Sequence, residues 1–363
     1  MSERYLPAEV PGRFRLDGEV LSIKPFGNGN INDTFKVETT RSAYLLQRIN
    51  QNVFKKPREV MDNLGRVSEH IKNKLSGHPD IRRRVLHFAD AKDGRNFVED
   101  EQGNVWRIYF FVDRVHAYEV LENAEQAYQA GRAFARFQNL LSDLPQPRLH
   151  ETIPFFHHAP KRLEAFRESV TADTVHRVAS VRKEIAFVES RAALCSHLLD
   201  RMHRGELPER IVHNDTKINN VLLDSETHRG ICVIDLDTVM PGLALFDFGD
   251  LVRSAASLTA EDESDLSKVG IDYERYEAIV RGYLEEAPFL TKEERSEMVF
   301  SIKYIVFVLG IRFLTDYLNG DIYFKVKFPE HNIIRARVQF RLFEVLEEQT
   351  ARLQAVVDRY QAS

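Results

Sequence analysis

The chain has 363 residues, of which 43 % are hydrophobic and 29 % are charged, and its formal net charge is −5. This composition excludes collagen-like, low-complexity and wholly disordered chains, and the small net charge gives no overall field that would recruit nucleic acid or anionic lipid. Two cysteines, Cys195 and Cys232, are too few for a disulfide framework and are typical of a reducing compartment. At about 150 residues per domain, the length predicts roughly two domains.

The sequence contains no recognisable targeting segment or membrane anchor. The N-terminal stretch from Met1 to Pro7 lacks the apolar core of a secretory signal. Uninterrupted apolar runs such as residues 305–309 are much shorter than the ~20 residues of a membrane-spanning helix. We therefore expect a cytoplasmic protein with neither nucleic acid nor membrane among its partners. The sequence does not determine the oligomeric state, and a monomer is compatible with it.

The first 112 residues have the pattern of a small β-rich unit. Their one predicted helix spans 58–75, where apolar residues recur every three or four positions. Alternating apolar patterns and Gly/Asn turns predict strands at 20–23, 34–38, 44–49, 95–98 and 105–112.

The remaining residues, 113–363, have mainly helical patterns. Thr291 and Glu294 have the spacing of a capping box at the start of one helix. The predicted helices cover residues 126–142, 177–202, 274–284, 292–318 and 330–361. We therefore predict a lobe of residues 1–112, a larger lobe of residues 113–363, and a ligand-binding cleft between them.

The segment 211–239 carries the strongest indication of chemistry. His213, Asp215 and Asn220 have the spacing of the kinase catalytic loop H-R-D-x-x-x-x-N, in which the Asp accepts the proton of the substrate hydroxyl. Lys217 lies two residues after that acid, where its positive charge can meet a phosphoryl group in transfer. The spacing predicts Asp215 and Lys217 as catalytic residues.

The same segment predicts a Mg²⁺ site. In the kinase arrangement the Asn of the catalytic loop and an Asp after a short hairpin hold the metal, and Asn220 and Asp235 have these positions. Mg²⁺ takes oxygen ligands and keeps several waters, so two protein ligands leave room for phosphate oxygens. Asp237 is a third candidate, which could support the metal, touch the substrate or cap a turn.

Two alternatives remain open from the residues alone. The stretch 233–239 also resembles the first motif of haloacid-dehalogenase-type phosphatases, in which Asp235 would be the nucleophile and Asp237 the general acid. That motif normally opens its fold, whereas 234 residues precede Asp235 here. The other alternative is a non-catalytic nucleotide binder.

The segments 29–35 (GNINDTF), 213–220 (HNDTKINN) and 234–250 together resemble the aminoglycoside phosphotransferase and choline kinase family. The resemblance implies an α+β, protein-kinase-like bilobal fold, with a small β-rich N-lobe for the nucleotide and a larger, mainly helical C-lobe for catalysis and substrate. It also implies ATP and Mg²⁺ as cofactors.

Within the family, a closer match is to the N-acetylhexosamine 1-kinases, on residues 213–220, 234–250, 312–324 and 329–337. That match implies transfer of the γ-phosphate of ATP to the anomeric hydroxyl of N-acetylglucosamine or N-acetylgalactosamine. The alternative is a kinase of the same fold that acts on choline, an aminoglycoside or another sugar. Arg312, Arg335 and Arg337 favour a neutral sugar over a basic acceptor.

The resemblance also implies roles for individual residues. Gln47 stands where the kinase strand usually has a lysine, and Asn30 where the N-acetylhexosamine kinases have a histidine. The implied nucleotide-binding residues are Gly27, Asn28, Gly29, Asn32, Gln47 and Phe111. The implied substrate-binding residues are Asn30, Asp215, Arg312 and Tyr323.

Two polar groups are predicted to be structural. Asp247, in the stretch LFDFGD, could be mistaken for the kinase D-F-G metal ligand, but we expect it to brace the catalytic loop or cap the next helix. His157 and His158 are expected to be loop residues, because two adjacent histidines rarely point at one ion.

Overall fold

The N-terminal region is built on a five-stranded antiparallel sheet of order β1-β2-β3-β5-β4, in a computed structural model that describes residues 7–27 and 31–361. Burial alternates along the second strand because one face of the sheet packs on a core. Helix α1 (Pro57–Lys74) buries its apolar stripe in a hydrophobic cluster that includes Val105 and Tyr109 of β5. The strands are β1 (Val20–Pro25), β2 (Asp33–Thr39), β3 (Ala43–Arg48), β4 (Val98–Glu99) and β5 (Val105–Phe110).

The C-terminal region is mainly helical, and the α+β bilobal prediction is confirmed. Two small sheets accompany the helices: β6 (Val115–His116) with β8 (Val221–Asp224) and β9 (Gly230–Val233), and β7 (Arg210–Val212) with β10 (Met240–Gly242). The helices are α2 (Ile81–Arg84), which lies before β4, and then α3 (Ala124–Leu141), α4 (Ala159–Ala172), α5 (Arg182–Ser190), α6 (His197–His203), α7 (Ala244–Ala255), α8 (Tyr273–Glu286), α9 (Lys292–Ser296), α10 (Met298–Leu318), α11 (His331–Glu348) and α12 (Thr350–Gln361).

Three long helices predicted from the sequence are interrupted. The stretch 177–202 consists of 3₁₀ turns and the short helices α5 and α6, and the stretch 330–361 is divided at Gln349 into α11 and α12. The helix predicted at 292–318 begins with the expected capping box but is divided at Glu297 into α9 and α10. No glycine or proline stands at either division, so the local sequence gives no breaking signal.

Helix α10 is long and apolar enough to cross a membrane by length and composition alone. Its most apolar 18-residue window has a mean hydropathy of 1.8, and 72 % of that window is buried inside the protein. The helix packs against α7, α11 and α4. Its apolar character is thus that of a central core helix, which is apolar on all sides because neighbours surround it.

The two regions share one hydrophobic cluster. Leu64 of α1 lies in the same cluster as Phe137 of α3 and Leu236, which follows β9. Strand β5 ends at Phe110 and β6 begins at Val115, so the predicted boundary at 112/113 falls between them. The β8–β9 hairpin therefore packs against both regions, and the loops at its two ends lie where the regions meet.

Candidate active site

The loop after β7 is held in place by two buried acids of α7. Asp247 accepts hydrogen bonds from the backbone N–H groups of His213 (2.8 Å) and Asn214 (2.7 Å), and Asp250 accepts one from Thr216 (2.9 Å). Burial raises the pKa of Asp247 to about 6, although these donors oppose the shift. The predicted bracing role of Asp247 is therefore confirmed: its carboxylate fixes the loop and does not cap α7.

Asp215 lies on this loop beside two polar neighbours. Its Oδ1 is 2.8 Å from Lys217 Nζ, and Asn220 donates from Nδ2 to the Asp215 carbonyl at 2.8 Å. Burial lowers the pKa of Lys217, but the Asp215 charge outweighs it and the net shift is upward. The Asp215 side chain is 21 % exposed. A partly exposed carboxylate with a charged lysine beside it can accept a proton from a bound hydroxyl.

Asp235 and Asn220 lie at adjoining points of the site. The Asn220 carbonyl accepts a hydrogen bond from Ile234 N at 2.9 Å, which ties the loop to the residue before Asp235. Asp235 is in the left-handed region (φ 59°), which Asp tolerates better than most residues. The residue is exposed to solvent, but nearby protein removes part of the hydration of its carboxylate. This desolvation, followed by the charges of Asp237 and Asp215, raises its pKa to about 7.

The donor set at this point fits Mg²⁺. Among the described residues, the Asp235 carboxylate and Asn220 Oδ1 accept no hydrogen bond, so their oxygens are available to a hard cation. Residues 7–27 and 31–361 contain no cluster of three or more His, Cys, Asp or Glu that could hold a metal by itself. A two-ligand site of this kind requires water and phosphate oxygens to complete it, as kinase sites do.

Asp237, only two residues further on, has the opposite environment. It is 2 % exposed, and its two oxygens accept hydrogen bonds from Arg107 Nη1 and from Asn32 Nδ2, the second at 2.6 Å. Gln47 accepts two further hydrogen bonds from the same arginine. The predicted metal role of Asp237 and the predicted nucleotide roles of Asn32 and Gln47 stay predictions. The geometry shows the half-buried Asn32 and Gln47 joined in one hydrogen-bond network to the buried Arg107 and Asp237.

Of the remaining predicted nucleotide residues, Gly27 and Phe111 lie close together. Gly27 has a positive φ of 71°, and a Cβ there would meet nothing within 4 Å, so the backbone is open to an approaching ligand. Its neighbour Phe26 packs edge-on against Phe111 at 5.6 Å, and Lys36 lies 5.0 Å from the Phe111 ring. The predicted residues Asn28, Gly29 and Asn30 lie outside the described residues.

The predicted substrate residue Arg312, on α10, lies among aromatic rings. Its guanidinium carbon is 5.4 Å from the Phe156 ring centroid, 5.7 Å from Tyr323 and 5.3 Å from Phe324. Tyr323 is 61 % exposed, which leaves most of its surface free for a ligand. Arg312 and Tyr323 are thus neighbours, and their role in substrate binding stays a prediction.

A second arginine, Arg162 of α4, shares this surface and was not predicted from the sequence. Its Nη2 donates to the Phe156 carbonyl at 3.2 Å. Burial, and then the charge of Arg312, lowers its pKa to about 10. Within the part of the chain that the structure describes, no carboxylate forms a salt bridge with either arginine. Two neighbouring positive charges therefore remain without an anionic partner.

The neighbouring histidines connect this surface to the catalytic loop. His157 donates from Nε2 to the Asn214 carbonyl at 3.0 Å, one residue before Asp215. Burial lowers the pKa of His157 to about 4, so the ring is neutral at physiological pH. His158 instead accepts a hydrogen bond from Lys161 N at the start of α4. The two rings have different structural partners, in agreement with the prediction.

Arg335 and Arg337 do not support the argument for a neutral sugar. Arg335 forms a salt bridge with Glu261, and Arg337 forms one with Glu184 at 2.6 Å. Their charges are thereby compensated. Of the arginines considered for this surface, Arg312 and Arg162 are the two without a salt bridge among the described residues.

Comparison with known proteins identifies the family. The model of the phosphotransferase enzyme family (APH) matches residues 22–284, which include β2 to β5, the catalytic loop and both candidate metal ligands. The match does not support the alternative of a haloacid-dehalogenase-type phosphatase. The chain belongs to the phosphotransferase enzyme family. Its members transfer phosphoryl groups to small molecules with hydroxyl groups, and the chain is a small-molecule phosphotransferase.

Solved structures with the same fold are distant in sequence. An aminoglycoside phosphotransferase from Alicyclobacillus acidocaldarius is 14 % identical, with a TM-score of 0.63 and coverage of 99 % of this chain and 97 % of that one. A microcompartment-associated aminopropanol kinase is 16 % identical, with a TM-score of 0.61 and coverage of 95 % and 96 %. Spectinomycin phosphotransferase, solved with ADP and spectinomycin, is 10 % identical, with a TM-score of 0.54 and coverage of 94 % and 92 %.

Proposed function

We propose that this protein is an ATP-dependent sugar 1-kinase, which transfers the γ-phosphate to the anomeric hydroxyl of N-acetylglucosamine or N-acetylgalactosamine. The observation that carries the kinase assignment is the position of Asp215, with Lys217 2.8 Å away, a free oxygen of Asn220 on the same loop and the free carboxylate of Asp235 after β9. This arrangement has a proton acceptor, a cation for the moving phosphoryl group and ligands for Mg²⁺ at one place.

In the proposed mechanism Asp215 orients the acceptor hydroxyl and takes its proton as the oxygen bonds to the γ-phosphorus, while the bond from that phosphorus to the bridging oxygen breaks and ADP leaves with that oxygen. Lys217 lies against the charge that develops on the transferred group, and its ammonium stays protonated beside Asp215. Mg²⁺, held by Asn220 and Asp235, would neutralise charge on the phosphates of ATP. Catalysis is then mainly positioning and electrostatic stabilisation, as is general for phosphoryl transfer.

The acceptor assignment depends on Arg162 and Arg312. Two cationic side chains without anionic partners repel a positively charged acceptor and offer hydrogen-bond donors to uncharged oxygens. The aromatic rings of Phe156 and Tyr323 beside Arg312 provide flat apolar surfaces on which a sugar ring can pack. A neutral sugar whose acetamido carbonyl accepts from an arginine suits this surface better than choline or an aminoglycoside.

The test is an ADP-release screen over N-acetylhexosamines, hexoses, choline and aminoglycosides, followed by ³¹P NMR of the product. We expect turnover with an N-acetylhexosamine and a product phosphorylated at the anomeric position. The Arg162→Gln and Arg312→Gln variants should raise KM for the sugar at least about fivefold and leave KM for ATP nearly unchanged. Arg337→Gln is the matched control, since its charge is already compensated by Glu184.

The possible outcomes separate the alternatives. Turnover only with a cationic acceptor would refute the sugar assignment and leave the kinase assignment intact. Binding of Mg-ATP in calorimetry, with no ADP released in any combination, would indicate a non-catalytic nucleotide binder.

A further inference from the structure

The N-terminal sheet buries a cationic side chain, Arg107, on β5, whereas the protein-kinase fold has its lysine on β3. Gln47 stands on β3, and its direct cross-strand partner on β5 is Arg107. Residues paired in this way project their side chains from the same face of the sheet, close together. Arg107 donates from Nε (3.0 Å) and Nη2 (2.8 Å) to Oε1 of the Gln47 side chain. Gln47 therefore holds an arginine of the next strand.

The other end of the Arg107 guanidinium reaches Asp237, outside the sheet. Arg107 is 1 % exposed and Asp237 is 2 % exposed, so this ion pair is shielded from water. Asn32 donates to the second Asp237 oxygen at 2.6 Å and accepts from Asn50 N at 2.9 Å. One side chain that precedes β2 and one on β5 therefore converge on the carboxylate of Asp237, which follows β9.

The location of Asp237 gives this network its importance. Asp237 lies in the 3₁₀ turn Leu236–Thr238, directly after Asp235. A buried ion pair whose remaining polar atoms are hydrogen-bonded holds a specific geometry, and loss of one partner leaves an uncompensated buried charge. Movement of Arg107 would therefore displace the turn and, with it, the exposed Asp235 carboxylate.

We infer that Arg107 is a positioning residue for nucleotide binding: it couples the N-terminal sheet to the loop that carries Asp235. In protein kinases the strand lysine forms an ion pair that must be in place for activity. Here the Arg107–Asp237 pair ties the two regions together, while Gln47 orients the guanidinium. Since Arg107 is buried, it acts through Asp237 and does not touch the nucleotide. This inference rests on the proposed use of ATP.

Calorimetric titration with Mg-ATP tests the inference. Arg107→Met should weaken Mg-ATP binding about tenfold or more, which corresponds to about 1.4 kcal/mol, and should change KM for the sugar less than about twofold. Arg107→Lys should give an intermediate loss, because an ammonium keeps the charge but lacks the planar fork that spans Gln47 and Asp237. Arg201→Met is the matched control: Arg201 pairs with Glu297 at 16 % and 13 % exposure, on α6 and next to α10.

The control and the conservative variant keep the inference open to refutation. Arg201→Met should lower the melting temperature without altering the Kd for Mg-ATP. If Arg107→Met is folded and binds Mg-ATP as the wild type does, Arg107 is only structural and the inference is wrong. If Arg107→Met does not fold, a wild-type Kd for Arg107→Lys leads to the same conclusion. Failure of the wild type to bind Mg-ATP would instead refute the proposed function.

Discussion

The replacement of Asp215 by Asn provides the most direct test of the site. The substitution keeps the shape of the side chain and removes both its charge and its ability to accept a proton. The Asp215–Lys217 ion pair spans 2.8 Å, but the lysine is half exposed. Exposed pairs of this kind contribute at most about 1 kcal/mol to stability, so Asp215→Asn should fold normally.

The effect of Asp215→Asn on the rate should be much larger than its effect on stability. A positioned general base typically contributes about 10²–10⁴-fold to the rate. This range corresponds to roughly 2.7–5.4 kcal/mol in the activation free energy, at about 1.36 kcal/mol per factor of ten. If the melting temperature of the variant is unchanged, partial unfolding cannot account for such a loss of rate. The assay is the steady-state rate of ADP release at saturating ATP, with Kd for Mg-ATP measured separately.

Asp224→Asn is the matched control for this experiment. Asp224 ends β8, accepts a hydrogen bond from Thr227 N at 2.7 Å and pairs with Arg83 at 2.7 Å. Its replacement should lower stability and leave kcat nearly unchanged. A kcat for Asp215→Asn within about threefold of the wild-type value would refute the assignment of Asp215 as the base, because the loss expected from a general base is far larger.

Three further predictions concern the metal, pH and packing. Asp235→Asn should abolish the Mg²⁺ dependence of ATP binding in calorimetry, and a phosphoenzyme formed on Asp235 would contradict this role. Because burial lowers the pKa of His157 from 6.5 to about 4, only the unfolded chain binds that proton between these values, so stability should fall by up to about 3 kcal/mol as pH drops through this window. Thermal unfolding at stepped pH should show a shallower fall for His157→Gln. Gly249→Ala should lower the free energy of unfolding by about 1–3 kcal/mol in denaturant titrations, because its Cβ would lie 2.5 Å from the Ser301 carbonyl oxygen, whereas Gly12→Ala meets nothing within 4 Å.

The sequence predicted correctly those features that depend on residues close together in the chain. The capping box at Thr291 is present, with Glu294 N donating to Thr291 Oγ1 at 3.1 Å and Thr291 N donating to Glu294 Oε2 at 2.8 Å. The local pattern does not show where that helix ends, and the ion pair of Glu294 with Arg210, which is distant in sequence, gives no local signal either. The stretch Lys292–Ser296 of α9 contains no apolar residue, and the side chain that it buries is that of Glu294, so apolar periodicity cannot mark the division at Glu297.

The candidate site was predictable where one loop carries it. Asp215, Lys217 and Asn220 lie within six residues, so their spacing alone brings them together. Arg162 was not predictable, because its importance depends on Arg312, which lies 150 residues further along the chain. Arg107 did carry a signal. It stands within the apolar strand Val105–Phe110, where a charged side chain must be paired once it is buried.

The two acids of the Asp235–Asp237 pair show why a motif alone could not assign their roles. Both the kinase and the phosphatase interpretations require the residue types that occur there, and the motif leaves the role of Asp237 open. Asp235 adopts a positive φ, and the 3₁₀ turn after it places Asp237 in the interior against Arg107 while Asp235 stays exposed. A carboxylate whose two oxygens are already hydrogen-bonded in a buried network is a poor ligand for a cation that exchanges with each nucleotide. We therefore expect Mg²⁺ to depend on Asp235 directly and on Asp237 only through the position of the turn.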